Sequence, residues 1–149
     1  MIFSNKKSFT LIEVLIVLTL TSLIIVFSLP LFNLFKINRK LDIQQNKIID
    51  TLRLAQNKSQ TGLDNSSYGV YFETDGYVFF KGDSYETRDT QYDIEYELPS
   101  GFSLSGLEEV VFYKITGRPS SSGNLVITET SSGRTRTISI NSLGLIQRQ

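Results

Sequence analysis

An apolar run from Leu11 to Phe35 carries a single carboxylate, Glu13, near its start. An ionised acid at the centre of a membrane-spanning helix costs about 2.5 to 3.5 kcal/mol, so a carboxylate in such a run needs a partner or a purpose. About 20 apolar residues cross a bilayer, and this run suffices despite Thr19, Thr21, Ser22 and Ser28. Lys6 and Lys7 before it favour a cytoplasmic N-terminus, while Lys36, Arg39 and Lys40 after it weaken that vote. A secretory signal is a poor fit. Its apolar core is about 7 to 15 residues with an A-x-A-like cut, and the chain's one alanine is Ala55. A plain single-pass anchor accounts for the run, with Glu13 reaching the membrane surface, but not for the string around Glu13.

Composition narrows the chemistry. The 149 residues include no cysteine and no histidine, and 15 basic residues balance 15 acidic ones. Disulfides, thiolate metal sites and cysteine nucleophiles are excluded, and the commonest general base and zinc ligand is missing. No Gly-x-Ser-x-Gly elbow occurs, and no histidine exists to activate a serine. An enzyme is not expected, nor a metal or a cofactor.

The string Ser8-Phe9-Thr10-Leu11-Ile12-Glu13, with Pro30 inside the apolar run, resembles the processing site of type IV prepilins and type II secretion pseudopilins. In that family a basic leader precedes Gly-Phe-Thr-Leu-Ile-Glu, and an apolar helix containing a proline follows. The resemblance covers residues 6–30 and departs at Ser8, where the family has glycine. It implies a leader of residues 1–8, cleavage between Ser8 and Phe9, and methylation of the Phe9 amine by the same peptidase. It also implies a role for Glu13 in assembly. The partners that follow are the prepilin peptidase and N-methyltransferase, other pilin or pseudopilin subunits, and an assembly platform in the cytoplasmic membrane. Nucleic acid joins them only for a competence pilin. The implied location is the bacterial inner membrane, crossed once with the head outside, and then a filament.

The physics of the string stands apart from the resemblance. A cut after Ser8 leaves a positive amine on Phe9, at the positive end of a helix dipole. Glu13 follows four residues on, on the same face, and a buried carboxylate becomes tolerable when so paired. The pairing can be with its own amine or with that of a neighbouring subunit, where it would fix the axial register. Pro30 removes the hydrogen bond to the Val26 carbonyl. It marks a kink, or a point where the helix melts during extraction and packing.

Leu34, Ile37, Leu41, Ile48, Leu52 and Ala55 continue the helical pattern as one apolar stripe, with Ile43, Ile49 and Leu54 as a weaker second. The helix is expected to end near Gln60, with Gly62 as its stop, giving a rod of roughly 78 Å. The expected organisation is a transmembrane half over 9–32, an amphipathic half over 33–61 and a β-rich head over 62–149.

In the head, Tyr, Phe, Val, Thr, Gly and Ser replace helix formers. Strands are expected at 68–73, 77–81, 92–98, 102–104, 110–116, 124–130, 134–140 and 143–147, in antiparallel sheet. The fold class is therefore α+β, a long N-terminal helix packed on an antiparallel head. Val111-Phe112-Tyr113, Gly117-Arg118-Pro119 and Leu143-Gly144-Leu145-Ile146 in this order resemble the ending of the GspH/FimT minor pseudopilin group and of competence minor pilins, with Leu145 in place of an arginine. Asp83, Glu86, Asp89 and Asp93 read as a solvated loop, since they lack the spacing of a calcium loop. Arg118, Arg134, Arg136 and Arg148 read as solvent-facing arginines. The chain is thus expected to be a filament subunit, a minor pilin or pseudopilin serving secretion, pilus biogenesis or DNA uptake. The competing expectation is a membrane-anchored extracellular β-domain that binds a ligand.

Overall fold

The computed structural model describes residues 9–149, the side chains of residues 27–34 and of Leu63 excepted. One helix, α1 (Leu11–Gln60), is followed by strands β1 (Tyr68–Phe72), β2 (Gly76–Lys81), β3 (Ile94–Glu97), β4 (Phe102–Gly106), β5 (Glu109–Phe112), β6 (Gly123–Glu129), β7 (Arg134–Ile140) and β8 (Ile146–Arg148). The described residues divide into two compact units, 9–37 and 38–149. The α+β class expected from the sequence is what is found.

In the first unit the apolar side chains of 11–26 are exposed. The hydroxyls of Thr19, Thr21 and Ser22 donate to carbonyls three or four residues back at 2.8–3.0 Å, so the helix satisfies its own polar groups. Among the described residues, no helix is long and apolar enough to cross a membrane. Pro30 falls within α1, and its side chain, like that of Leu34, lies outside the described residues.

The second unit holds the end of α1 and two four-stranded antiparallel sheets, ordered β3-β2-β1-β5 and β4-β6-β7-β8. The hairpin expected at 74–76 is present, with Phe72 opposite Tyr77. Val110, Val111 and Phe112 are buried, as an apolar run inside a sheet must be. Leu41, Ile48, Leu52 and Ala55 of α1 are fully buried. α1 ends at Gln60, and Gly62 follows with φ +64°, the left-handed stop that glycine adopts without strain.

Several expectations need correction. The second helical stripe does not act as one: Ile49 is buried, while Ile43 and Leu54 are 44% and 39% exposed. The buried arc of α1 runs from Thr51 round to Ile49, about 160° at 3.6 residues per turn. It is wide because α1 meets both sheets. The Ser59 hydroxyl accepts from the Tyr68 N–H of β1 at 3.0 Å, and Gln45 donates to the Thr137 carbonyl of β7 at 2.9 Å. The strand expected at 92–98 is shorter, since a 3-10 turn at Thr90–Tyr92, capped by Asp89, occupies its start. Its apolar face stays half-exposed because β3 is an outer strand. The final strand begins at Ile146, not Leu143. The Asn141 carboxamide accepts from the backbone N–H groups of Leu143 and Leu145, and Gly144 takes φ +83°, so a turn replaces the strand's first half. The strand expected at 110–116 stops at Phe112, and the following turn puts Ile115 at φ +70°.

Candidate assembly site

The start of α1 is organised by Thr10. Its hydroxyl accepts from the Glu13 N–H at 3.3 Å, and its carbonyl accepts from the same N–H at 3.1 Å and from Val14 at 3.3 Å. Thr10 is the residue before the first helical one, so Thr10-Leu11-Ile12-Glu13 has the sequence and position of a capping box. Glu13 is the acid of the first turn, where the helix dipole favours negative charge. Sequence reasoning gave Glu13 a charge partner, its own amine or a neighbour's, and missed this cap, though the T-x-x-E pattern signals it. Phe9 is 78% exposed and Glu13 is exposed too, so both are open to other molecules. Ser8 lies outside the described residues.

The amphipathic part of α1 positions the head through polar side chains. The Gln56 amide nitrogen donates to the Gly117 carbonyl at 3.2 Å and to the Gly144 carbonyl at 2.9 Å. One side chain thereby joins two loops distant in sequence. The Ser59 hydroxyl accepts from the Tyr68 N–H at 3.0 Å, and the Ser59 carbonyl accepts from the Ile115 N–H at 2.8 Å. Arg134 donates to the Asn38 carboxamide, and Arg136 to the Asp42 carboxylate, each at 2.8 Å. These two arginines were expected to face solvent. They share a face of β7 with the buried Ile138 and Ile140, and α1 covers part of that face. The two isoleucines in β7's own alternation mark it as the inward side.

The acidic loop is a local structure. Arg88 donates to Asp93 at 2.8 Å and to the Tyr85 carbonyl at 2.7 Å, and its guanidinium stacks 3.7 Å above the Tyr85 ring. The Asp93 carboxylate at Nε raises the Arg88 pKa. Tyr85 stacks in turn on Tyr71 at 3.9 Å. Among the described residues no group of three or more acids is placed to hold a metal ion. At the other end of the head, Glu129 closes the β6–β7 turn. Its carboxylate accepts from the hydroxyls and backbone N–H groups of Ser131 and Ser132. These bonds, the two hydroxyls first, hold its pKa down to about 2.

Residues 3–29 match the prokaryotic N-terminal methylation motif. Among curated proteins, none matches the chain in sequence. Among solved structures, the minor pseudopilin EpsH from the type 2 secretion system of Vibrio cholerae aligns with a TM-score of 0.56 and 12% identity. The alignment covers 74% of this chain and 96% of that one. The motif is of the prepilin type, and the fold is the one seen in EpsH.

Proposed function

We propose that this chain is a structural subunit of a pilus-like or type II secretion filament, cut between Ser8 and Phe9, methylated on Phe9 and held in register by Glu13. The observation that carries this reading is the prepilin-type motif over residues 3–29 on a chain whose helix begins at Leu11. The cut removes what precedes the cap, so the new amine falls one residue before Thr10. The fold supports the reading. An exposed apolar helical surface over residues 11–26 needs other helices or lipid around it, and a bundle of like subunits supplies them. The chain's own work is mechanical. The apolar helices form the filament's centre, Glu13 selects the stagger, and the β head is carried outside. The machine served is one of secretion, pilus assembly or DNA uptake.

The test is mass spectrometry of the membrane fraction, with a Glu13 series alongside. We expect a chain that starts at methylated Phe9, and Glu13→Ala subunits that insert in the membrane but do not enter filaments. An intact leader in assembled material would sink the reading.

A further inference from the structure

Two surfaces of the second unit have no counterpart within it. One is the outer face of α1. Lys40, Ile43, Lys47 and Leu54 recur at three, four and seven residues, so they share one side, and all four are exposed. The other is a groove of about 560 Å³, where β3, the outer strand of one sheet, leads through residues 98–101 to β4, the outer strand of the other. Exposed Glu73, Asp75, Glu95 and Glu97 line it, with no lysine or arginine. Tyr77 and Tyr96 stack within it at 4.9 Å. The ion pairs among the described residues use none of these four acids. Arg88, stacked on Tyr85, acts on Glu95, and the groove's remaining negative charge attracts cations of another molecule.

We propose that these faces are the two halves of one contact between copies of this chain: Lys40, Ile43 and Lys47 of one copy dock into the acidic, tyrosine-lined groove of the next. This rests on the filament reading and names the neighbour. The lysines meet carboxylates, and Ile43 meets the half-buried ring of Tyr96, which Tyr77 backs from beneath. Because the two faces differ, each contact leaves one free half at either end. Such a heterologous contact builds an open filament in place of a closed dimer.

The geometry sets a direction. Tyr77 of the groove lies beside Thr51 of its own helix, whereas the docking face centres on Ile43, eight residues earlier. At 1.5 Å per residue, the copy that offers its lysines lies about 12 Å further along the helix axis, towards the C-terminal end.

The chain has no cysteine, so an introduced pair reports one contact. Ile43→Cys with Ser100→Cys keeps every charge. In the full-length chain, expressed with its assembly machinery, oxidation is expected to give a ladder of multiples of the subunit mass. Glu95→Lys with Glu97→Lys should lower the ladder about tenfold, as a reversed charge contact does, and adding Lys40→Glu with Lys47→Glu should restore it. Restoration shows that the reversed chains still fold. A ladder indifferent to reversal, or filaments without a ladder, overturns the contact and leaves the filament reading in place. Cross-linking to a different protein in place of a second copy overturns the choice of neighbour. An uncut leader together with absent filaments overturns both.

Discussion

Replacing Gln56 by leucine tests how the head is fastened to its helix. The Gln56 amide has two hydrogens, and the structure spends both, on the carbonyls of Gly117 and Gly144. Leucine keeps the length and most of the shape while removing both donors. Each neutral hydrogen bond is worth about 0.5 to 1.5 kcal/mol net, so the loss comes to about 1 to 3 kcal/mol. For a cooperative unit the size of residues 38–149, that lowers the melting temperature by about 4 to 13 °C. Glutamate at the same position should be worse at neutral pH, because it sets a carboxylate against two carbonyl oxygens. Part of that excess should vanish in acid, where protonation restores one donor. Gly144→Ala attacks the junction from the other side. At φ +83° a Cβ would lie 2.6 Å from the Gln56 amide nitrogen and 3.0 Å from the Gly117 carbonyl oxygen. Urea unfolding of the full chain in detergent, followed by near-ultraviolet tyrosine signals, measures both variants. If Gln56→Leu shifts stability by less than about 0.3 kcal/mol while Gly144→Ala is tolerated, α1 does not hold these loops and the account is wrong.

Two further perturbations address charge. The folded structure holds the Glu129 pKa down to about 2, against an ordinary glutamate value of 4.5. Its contribution is therefore complete above the unfolded value and is lost as pH falls from about 4.5 towards 2. Glu129→Gln should flatten that part of the acid stability curve, and an unchanged acid limb would contradict the assignment. Arg136 and Asp42 are 31% and 50% exposed at their side chains, so solvent screening limits the pair to about 0.2 to 1 kcal/mol. A double-mutant cycle with Arg136→Ala and Asp42→Ala should return a coupling in that range, shrinking in 1 M salt. A value above 2 kcal/mol would mean that the pair is far better shielded than the structure shows.

What the sequence made legible was set by the range of the physics involved. Local rules located the end of α1 at Gln60, the 74–76 turn and the 131–133 turn, because glycine, serine and aspartate act within four residues. Period alone picked out Leu41, Ile48, Leu52 and Ala55, the residues that face the core wherever the sheets lie. The misses share a different cause. Gln45, Gln56 and Ser59 carry no signal of their own in the helical pattern, yet each is bonded to a partner at least nine residues away. Arg134 and Arg136 were legible in principle. They share a strand face with Ile138 and Ile140, both buried, so the alternation of β7 marks the side that the helix covers. Ile49 shifts to the core because two sheets, meeting one helix, widen the arc it must bury.

Glu13 illustrates how one residue can satisfy a local rule and a long-range one together. At the third helical position, with Thr10 as cap, its carboxylate favours the helix start through the dipole and the capping geometry. That benefit exists in an isolated subunit, so loss of assembly in Glu13→Ala does not by itself separate a frayed helix from a missing charge pair. Glutamine does. It serves the capping box as well as glutamate does but carries no charge to set against an amine. A Glu13→Gln subunit that starts its helix normally and still fails to enter a filament assigns the carboxylate to register between subunits. One that assembles as well as the parent assigns it to the cap. The apolar face over 11–26 would then have to hold the stagger, and a smooth apolar face has no reason to prefer one axial offset over the next.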